Sequence, residues 1–256
     1  MLLSIDIGNT NITMGLYKND ILLDTFRISS DKGLSVEGYE ILFRNIFVDC
    51  IVKDCIIGSV VGELSQKIKQ VCDKIFNLDS CILDNVPDFN MPIKLENPQE
   101  LGADRIANAY GAKKKYKLPL IVVDIGTATT FDIVSKNGEF LGGVIMPGLN
   151  LQFKSLNTNT SKLPNLNVGK SEKAIGNSTE KAMLSGIMRG SASAIEGLIN
   201  QCESELGEKA TIVATGGHSK LISEYMIRQF DYIDSSLTLD GLKELYEYRR
   251  LVKKIR

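Results

Sequence analysis

The chain has one histidine, His218, and no tryptophan among its 256 residues. A lone imidazole argues against a histidine-rich metal site, and it would have to carry any Ser/His/Asp catalysis by itself. An excess of charge of either sign is also missing, because 30 basic residues meet 31 acidic ones for a formal net charge of −1. We therefore expect no nucleic-acid partner and no membrane surface, since both favour a strongly basic face.

Long apolar runs and paired cysteines are scarce as well. No apolar run approaches the roughly 20 residues that a membrane-spanning helix needs, and Asp6 interrupts the apolar start where a signal peptide would lie. Cys50 and Cys55 lack the Cys-x2-Cys partner of a zinc site, and the cysteine number is odd (Cys50, Cys55, Cys72, Cys81 and Cys202). The sequence therefore predicts a cytoplasmic protein with reduced, buried cysteines.

The strongest positive signal is an internal repeat. The segment Asp6-Ile7-Gly8-Asn9 recurs as Asp124-Ile125-Gly126-Thr127, 118 residues later. Each copy stands at the end of an apolar strand that opens a three-strand meander, predicted at 2–7, 12–17 and 21–28 and again at 118–123, 131–134 and 142–146. The repeat predicts an α/β protein of two similar domains, 1–115 and 116–256.

Periodicity places further elements between and after the meanders. Strands are predicted at 55–61 and 211–214, and helices at 36–47, 63–75, 103–116, 177–199, 219–228 and 240–249. The long helix at 177–199 has a possible break near Gly190. The proline-containing stretch 84–100 is predicted to be a connector, and the polar stretch 149–173 is predicted to be irregular.

The two repeated turns combine an acid, a glycine and short polar side chains. In Asp6–Asn11, glycine permits close backbone approach, exposed amides with Thr10 and Asn11 can bond phosphate oxygens, and Asp6 can hold a hydrated Mg²⁺. A single copy is better explained as an ordinary β-turn. The second copy, Asp124–Thr130, favours phosphate binding instead. Thr215-Gly216-Gly217 predicts a third such element, although a plain helix-entry turn fits it equally well.

These motifs resemble the actin, sugar-kinase and heat-shock ATPase superfamily and, within it, the type III pantothenate kinases. The resemblance covers residues 2–248 and is carried by segments in order, at 6–11, 97–105, 124–132, 142–148, 215–217 and 237–242. It implies two duplicated ribonuclease-H-like (actin-like ATPase) domains, each a mixed sheet flanked by helices, with a nucleotide cleft between them. It also implies transfer of the ATP γ-phosphate to pantothenate, giving 4′-phosphopantothenate, in the first step toward coenzyme A.

The resemblance also assigns roles to matching residues. Asp104 would be the general base, and Arg105 would pair with the pantothenate carboxylate. An acidic and a basic residue in the first turn of a helix can also be there without any function. Substrate contacts fall on Gly102, Ala103, Asp104, Arg105, Thr179 and the Leu95 position. ATP contacts fall on Asp6, Ile7, Gly8, Asn9, Thr10, Asn11, Ile12, Thr13 and Thr127.

Two cations and a dimer follow from the same resemblance. Asp124 matches the ligand of a monovalent cation, K⁺ or NH₄⁺, and Asp6 would face the Mg²⁺ that accompanies ATP, through phosphate or water. Thr179 matches a threonine that the family supplies across a homodimer interface, although a helix N-cap also explains Ser178-Thr179. His218, after the third element, could lie near the adenosine, but a solvent-facing position at a helix start is favoured.

Several positions depart from the family pattern. Leu95 stands where the family usually has tyrosine, and Thr13 stands near the usual place of a lysine. Alternatives to the kinase are a catalytically silent accessory relative, another small-alcohol kinase, or a phosphatase acting on phosphate chains. The intact set of Asp6, Asp104, Arg105 and Asp124 favours the pantothenate kinase, since a silent relative need not retain it.

Overall fold

The computed structural model describes residues 1–83, 89–159 and 162–255. The chain forms two compact units, one of residues 1–114 with 236–256 and the other of residues 115–235. We call them unit 1 and unit 2. No helix in these described ranges is both long and apolar enough to cross a membrane.

Unit 1 is built on a five-stranded sheet in the order β3-β2-β1-β4-β5. Its strands are β1 (Leu2–Ile7), β2 (Asn11–Lys18), β3 (Ile21–Ser29), β4 (Asp54–Ser59) and β5 (Cys81–Ile82), and its helices are α1 (Val36–Ile46), α2 (Gly62–Phe76), α3 (Ala103–Lys115) and α7 (Leu237–Ile255). Strands β1 to β3 form the predicted antiparallel meander, and β4 and β5 run parallel to β1. The meander turns between β2 and β3 because Asn19 and Asp20 both adopt positive φ, as a tight hairpin requires.

Unit 2 repeats this topology on a second five-stranded sheet, in the order β10-β9-β6-β7-β8. It contains β6 (Leu120–Ile125), β7 (Ala128–Val134), β8 (Phe140–Pro147), α4 (Leu149–Thr158), α5 (Thr179–Leu206), β9 (Thr211–Thr215), α6 (Ser219–Ser223) and β10 (Tyr232–Ile233). Strands β6 to β8 are antiparallel, and β9 and β10 run parallel to the first strand of the repeat. The duplication predicted from the repeat is therefore confirmed, with Asp6 and Asp124 each one residue before the end of its strand.

Helix α7 corrects the predicted limits of the second domain. It follows unit 2 in sequence, yet it packs on the sheet of unit 1. A methyl group added at Gly15 on β2 would lie 3.0 Å from Leu239, and one at Gly58 on β4 would lie 2.7 Å from Leu242. These glycines leave room for the leucines of α7, so 236–256 belong with unit 1 rather than with 116–235.

The polar stretch predicted to be irregular contains a helix, so that prediction is wrong for 149–158. Helix α4 buries only Leu149 and Phe153, one helical turn apart, and it leaves polar side chains on its outer faces. Leu149, Phe153 and Leu156 do have helical spacing, but the polar residues around them and the exposed Leu151 obscure that signal. Helix α5 differs as well, because it runs without a break from Thr179 to Leu206 and ends at Gly207, whose φ is 72°.

Other predicted boundaries shift by several residues. Helix α6 ends at Ser223 rather than at Arg228, and α7 is longer than the predicted 240–249. The predicted connector at 84–100 partly lies outside the described residues, at 84–88; the remainder contains a single 3₁₀ turn at Pro98–Glu100. Helix ends are the least constrained by local sequence, because capping and tertiary contacts compete there.

An ion network connects α5 to the loop before β9 and to the segment after α6. Arg228 donates to both carboxylate oxygens of Glu203 at 2.7 Å, and Lys209 donates to one of them at 2.6 Å. The Ala210 amide donates to the other oxygen at 3.1 Å, and the Glu203 side chain is 4% exposed. The hydrogen bonds from Arg228, against an opposing effect of burial, lower the pKa of Glu203 to about 2.

We expect Glu203→Gln to lower the free energy of unfolding of unit 2 by about 3 kcal/mol near neutral pH, because Arg228 and Lys209 lose the buried carboxylate charge to which they donate. Glu203 titrates at about 2 in the folded state against an ordinary 4.5, so its contribution is complete above 4.5 and disappears as pH falls toward 2. Urea unfolding near neutral pH and in acid would measure this, and the free energies of unfolding of wild type and Glu203→Gln should converge in acid. Glu208→Gln, at an exposed carboxylate 3.8 Å from Lys136, is the control and should change stability by less than about 0.5 kcal/mol. An equal loss for both variants would contradict the assignment.

Candidate active site

The turn between β1 and β2 presents two side chains from a fixed backbone. The Gly8 amide donates to the Asn11 carbonyl at 2.9 Å. From beneath, the Ser30 amide donates to the Thr10 carbonyl at 3.0 Å, and the Ser30 hydroxyl donates to the Gly8 carbonyl at 2.7 Å. Asn9 and Thr10 are exposed at the tip, so this turn can offer amides and a hydroxyl to an anion.

The predicted ATP-contacting residues around this turn differ in what they expose. Ile7 and Ile12 are fully buried, so only their backbone groups are available to a ligand. Asp6 is half-buried and pairs in register with Thr13 of β2 and with Gly58 of β4. The structure therefore brings Asp6 and Thr13 together at the base of the turn.

Asp104 lies at the same edge of the sheet in unit 1. The chain leaves β4 at Ser59, and the next amide, of Val60, donates to the carbonyl of Ile7 at 3.2 Å. A methyl group at Gly102 would lie 3.4 Å from Val60 and only 2.6 Å from the Asp104 carboxylate oxygen Oδ1. Asp104 therefore folds back over a glycine next to the carboxyl ends of β1 and β4.

The position of Asp104 explains its electrostatics. It occupies the first turn of α3, where the helix dipole favours a negative charge, and the Arg105 amide donates to its Oδ1 at 2.8 Å. Burial nevertheless raises the pKa of Asp104, against the opposing effects of the Arg105 amide and charge. A carboxylate with a raised pKa is a stronger base than an exposed aspartate. Ala103 beside it is buried, and Arg105 is half-buried.

The second turn, in unit 2, is one residue shorter. Here the Gly126 amide donates to the Ala128 carbonyl at 3.0 Å, and Thr127 is exposed at the tip. The Gly148 amide donates to the Thr127 carbonyl at 3.2 Å, and a methyl group at Gly148 would lie 2.8 Å from the carbonyl carbon of Thr127. Gly148 is thus required where the end of β8 crosses the turn.

The third predicted element closes over Asp124. Gly216 has a φ of +87°, and a methyl group there would collide with the Asp124 carboxylate and lie 2.6 Å from the Ile125 amide nitrogen. The His218 amide donates to the Ile125 carbonyl at 3.2 Å. The segments predicted separately at 124–130, 142–148 and 215–217 therefore meet at one edge of unit 2.

His218 and Asn150 form a pair that the sequence did not indicate. The ring nitrogen Nε2 of His218 is 3.4 Å from the side-chain nitrogen of Asn150, in the first turn of α4. His218 is the N-cap of α6, a helix start as the favoured expectation has it, and the residue is half-buried. Its place two residues after Gly216 was the only signal available.

Two further predicted substrate residues, Thr179 and Leu95, come from other segments of the chain. Thr179 is exposed at the first residue of α5, in unit 2, whereas Asp104 is in unit 1. Ser178 is the N-cap of that helix and accepts from the Lys181 amide at 3.3 Å. Leu95 is half-buried in the segment before the 3₁₀ turn. The helix start therefore has its cap in Ser178, and capping does not require the Thr179 side chain.

The donors at Asp6 and Asp124 suit cations that keep other oxygen ligands. Among the described residues, no three acidic, cysteine or histidine side chains come together as a metal-binding group. A cation at either aspartate would therefore take one carboxylate oxygen together with phosphate, carbonyl or water oxygens, as Mg²⁺ at a nucleotide and weakly hydrated cations do. The residues present fit both kinds of ion in that form.

Solved structures place the fold in a class. A ROK family glucokinase from Streptomyces griseus, solved with glucose and AMPPNP, aligns with a TM-score of 0.55 over 97% of this chain and 98% of that one, at 14% identity. MreB 5 of Spiroplasma citri, bound to AMPPNP, aligns with a TM-score of 0.54 over 99% and 97%, again at 14% identity. The fold is that of the actin-like ATPases and sugar kinases, as the sequence predicted.

Sequence similarity identifies the family within that class. A family model described as type III pantothenate kinase matches residues 2–201. The type III pantothenate kinase of Citrifermentans bemidjiense is 38% identical over 252 residues, which cover 96% of this chain and 99% of that protein. The chain therefore belongs to the type III pantothenate kinase family, and the predicted resemblance is confirmed.

We expect Gly102→Ala to lower the pKa of Asp104 toward its ordinary value, because the added methyl group pushes the carboxylate outward into water. Carboxyl ¹³C NMR titration would measure the change. Gly62→Ala is the matched control, since Gly62 begins α2 in the same unit and a methyl group there meets nothing within 4 Å. An Asp104 pKa that is unchanged in Gly102→Ala would contradict the folded-back geometry.

Proposed function

We propose that this protein transfers the γ-phosphate of ATP to the primary alcohol of pantothenate and so makes 4′-phosphopantothenate for coenzyme A synthesis. The observation that carries the proposal is the Asp104 carboxylate, which folds over Gly102 beside the β1–β2 turn of unit 1. That position provides a base with a raised pKa next to backbone groups suited to phosphate. Membership in the type III pantothenate kinase family supports the choice of acceptor.

The chemical step is an in-line displacement at phosphorus. The alcohol oxygen of pantothenate forms a bond to the γ-phosphorus, and the bond from that phosphorus to the β–γ bridging oxygen breaks to release ADP. Asp104 accepts the proton of the alcohol as the new bond forms. Phosphoryl transfer has a loose transition state, so positioning of the alcohol contributes more to the rate than early removal of its proton. A carboxylate is therefore a sufficient base.

Residues next to Asp104 would hold the acceptor. Arg105 would bind the pantothenate carboxylate through its planar guanidinium, which matches a carboxylate in two hydrogen bonds. Gly102 and Ala103 would approach the substrate with their backbone. We place Thr179 from a second copy of the chain in a homodimer at the same substrate, which its exposure at the start of α5 allows. Leu95, where the family usually has tyrosine, would line the pocket without a hydroxyl.

The two repeated turns would hold the nucleotide phosphates. Residues Asp6, Gly8, Asn9, Thr10, Asn11 and Thr13 would serve in unit 1 with the backbone of Ile7 and Ile12, and Thr127 would serve in unit 2. Mg²⁺ bound with ATP neutralises phosphate charge, and Asp6 would contact it through water or phosphate. Asp124 would bind K⁺ or NH₄⁺, which offsets further negative charge near the phosphates.

We expect Asp104→Asn to reduce kcat by about 100-fold to 10,000-fold while the fold stays intact, because the amide cannot accept the proton. In the wild type, kcat should fall as pH drops through the raised pKa of Asp104, since the protonated acid is inactive as a base. A coupled assay of ADP release with pantothenate would measure both. Glu63→Gln, another acid in the first turn of a helix of unit 1, is the control and should leave kcat unchanged. Full activity of Asp104→Asn would overturn the mechanism.

We expect activity to fall when Na⁺ replaces K⁺, because the smaller ion holds its water more tightly and fits a site of one carboxylate poorly. Asp124→Asn should be slow in K⁺ and should lose most of the difference between the two ions. Initial rates at constant ionic strength would measure this. Equal wild-type rates in Na⁺ and K⁺ would refute the assignment of Asp124.

A further inference from the structure

We propose that Thr238 and Asn108 are positioning residues for Asp104, acting through the contact between helices α7 and α3. The proposal rests on the proposed function, because it assumes that Asp104 is the base. The segment Leu237–Leu242 belongs to the family pattern, yet no catalytic step described above uses it. Its contacts with α3 indicate what it does.

Asp104 shares one face of α3 with the residues that α7 contacts. Positions three, four and seven residues apart lie on the same side of a helix, so Asp104, Ala107, Asn108 and Gly111 form one stripe. A methyl group at Gly111 would lie 2.9 Å from Cα of Gly241 and 3.0 Å from the Leu237 carbonyl oxygen. The backbones of the two helices therefore meet one to two turns beyond Asp104.

The close crossing fixes the distance between the helices but not their register. A methyl group at Gly241 would lie 2.6 Å from the carbonyl carbon of Ala107, so no side chain separates the two backbones. Contact between two backbones restricts rotation and sliding less than interlocking side chains do. A directional hydrogen bond between the two helices is needed to set their register, which is the position along α7 at which α3 crosses it.

The bond between Thr238 and Asn108 meets that need. The Thr238 hydroxyl donates to the Asn108 side-chain oxygen at 2.7 Å, and Asn108 is fully buried one turn after Asp104. A buried acceptor is costly to leave without its donor, so the bond holds α3 in one rotation and one register. The start of α3, with Asp104, takes its position from this bond.

Other contacts hold α7 to the strands that carry the first turn. Asp240 accepts from the Tyr17 hydroxyl of β2 at 2.7 Å and from the Ser236 hydroxyl at 2.6 Å. Leu242 packs against Gly58 of β4, which lies beside Asp6 in the sheet. Helix α7 thus contacts both α3 and the sheet that carries the β1–β2 turn. Through α7, Asp104 keeps a fixed position relative to that turn.

The test is Thr238→Val, which keeps the shape of the side chain and removes the donor. We expect kcat to fall about tenfold with KM for ATP and pantothenate changed less than about twofold, because a displaced base slows the step without weakening binding. Thr238→Ser retains the hydroxyl and should restore kcat. In an Asp104→Asn background, Thr238→Val should cause no further loss of the residual rate.

Tyr246→Phe is the matched control, since Tyr246 lies on the same helix and donates to Asp54 at 2.6 Å near the start of β4. It should lower Tm by an amount similar to Thr238→Val and leave kcat unchanged. The positioning role is refuted if Thr238→Val lowers Tm but leaves kcat unchanged. It is also refuted if Thr238→Val slows Asp104→Asn by the same factor as it slows the wild type. Full activity of Asp104→Asn, or no pantothenate phosphorylation by wild type, would instead refute the proposed function.

Discussion

Two carboxylates of this protein occupy space that only glycine leaves open. Asp104 folds over Gly102, and Gly216 lies against Asp124 with a backbone conformation that side chains rarely adopt. Such close contact with backbone restricts the orientation of a carboxylate. In each unit, the first strand of the sheet ends in a tight turn. The aspartate of that unit and its glycine lie at this edge of the sheet.

The duplicated units have kept one topology and built different surroundings on it. In unit 1 the chain leaves β4 beside Ile7, and a helix start supplies Asp104 over Gly102. In unit 2 the corresponding strand β9 ends in Thr215 and continues into Gly216, which lies against Asp124, and His218, whose amide donates to the Ile125 carbonyl. One unit therefore carries an aspartate whose pKa is raised by burial, and the other carries an aspartate in close contact with the backbone at Gly216.

The C-terminal helix connects the elements of unit 1 to one another. Helix α7 joins unit 1 after the chain has completed unit 2, and its leucines fill the space over Gly15 and Gly58. Its backbone meets that of α3 at Gly241 and Gly111, and the buried hydrogen bond between Thr238 and Asn108 adds a directional contact that aligns the two helices.

The sequence alone was enough to predict the repeat, the meanders and the turn residues, because alternating apolar strands, glycines and short polar side chains are local properties. Asp6, Gly8, Asp124 and Gly216 could be selected in this way. It was not enough for α4, where the helical spacing of Leu149, Phe153 and Leu156 is short and lies among polar residues, or for the pair of His218 and Asn150, which are 68 residues apart. Only the tertiary structure decided that α7 belongs to unit 1 and that Asp104 turns back over Gly102. The packing of α7 joins parts of the chain that are far apart in sequence, and the position of Asp104 depends on the close contact of its carboxylate with Gly102. Neither burial nor close approach can be derived from the local sequence.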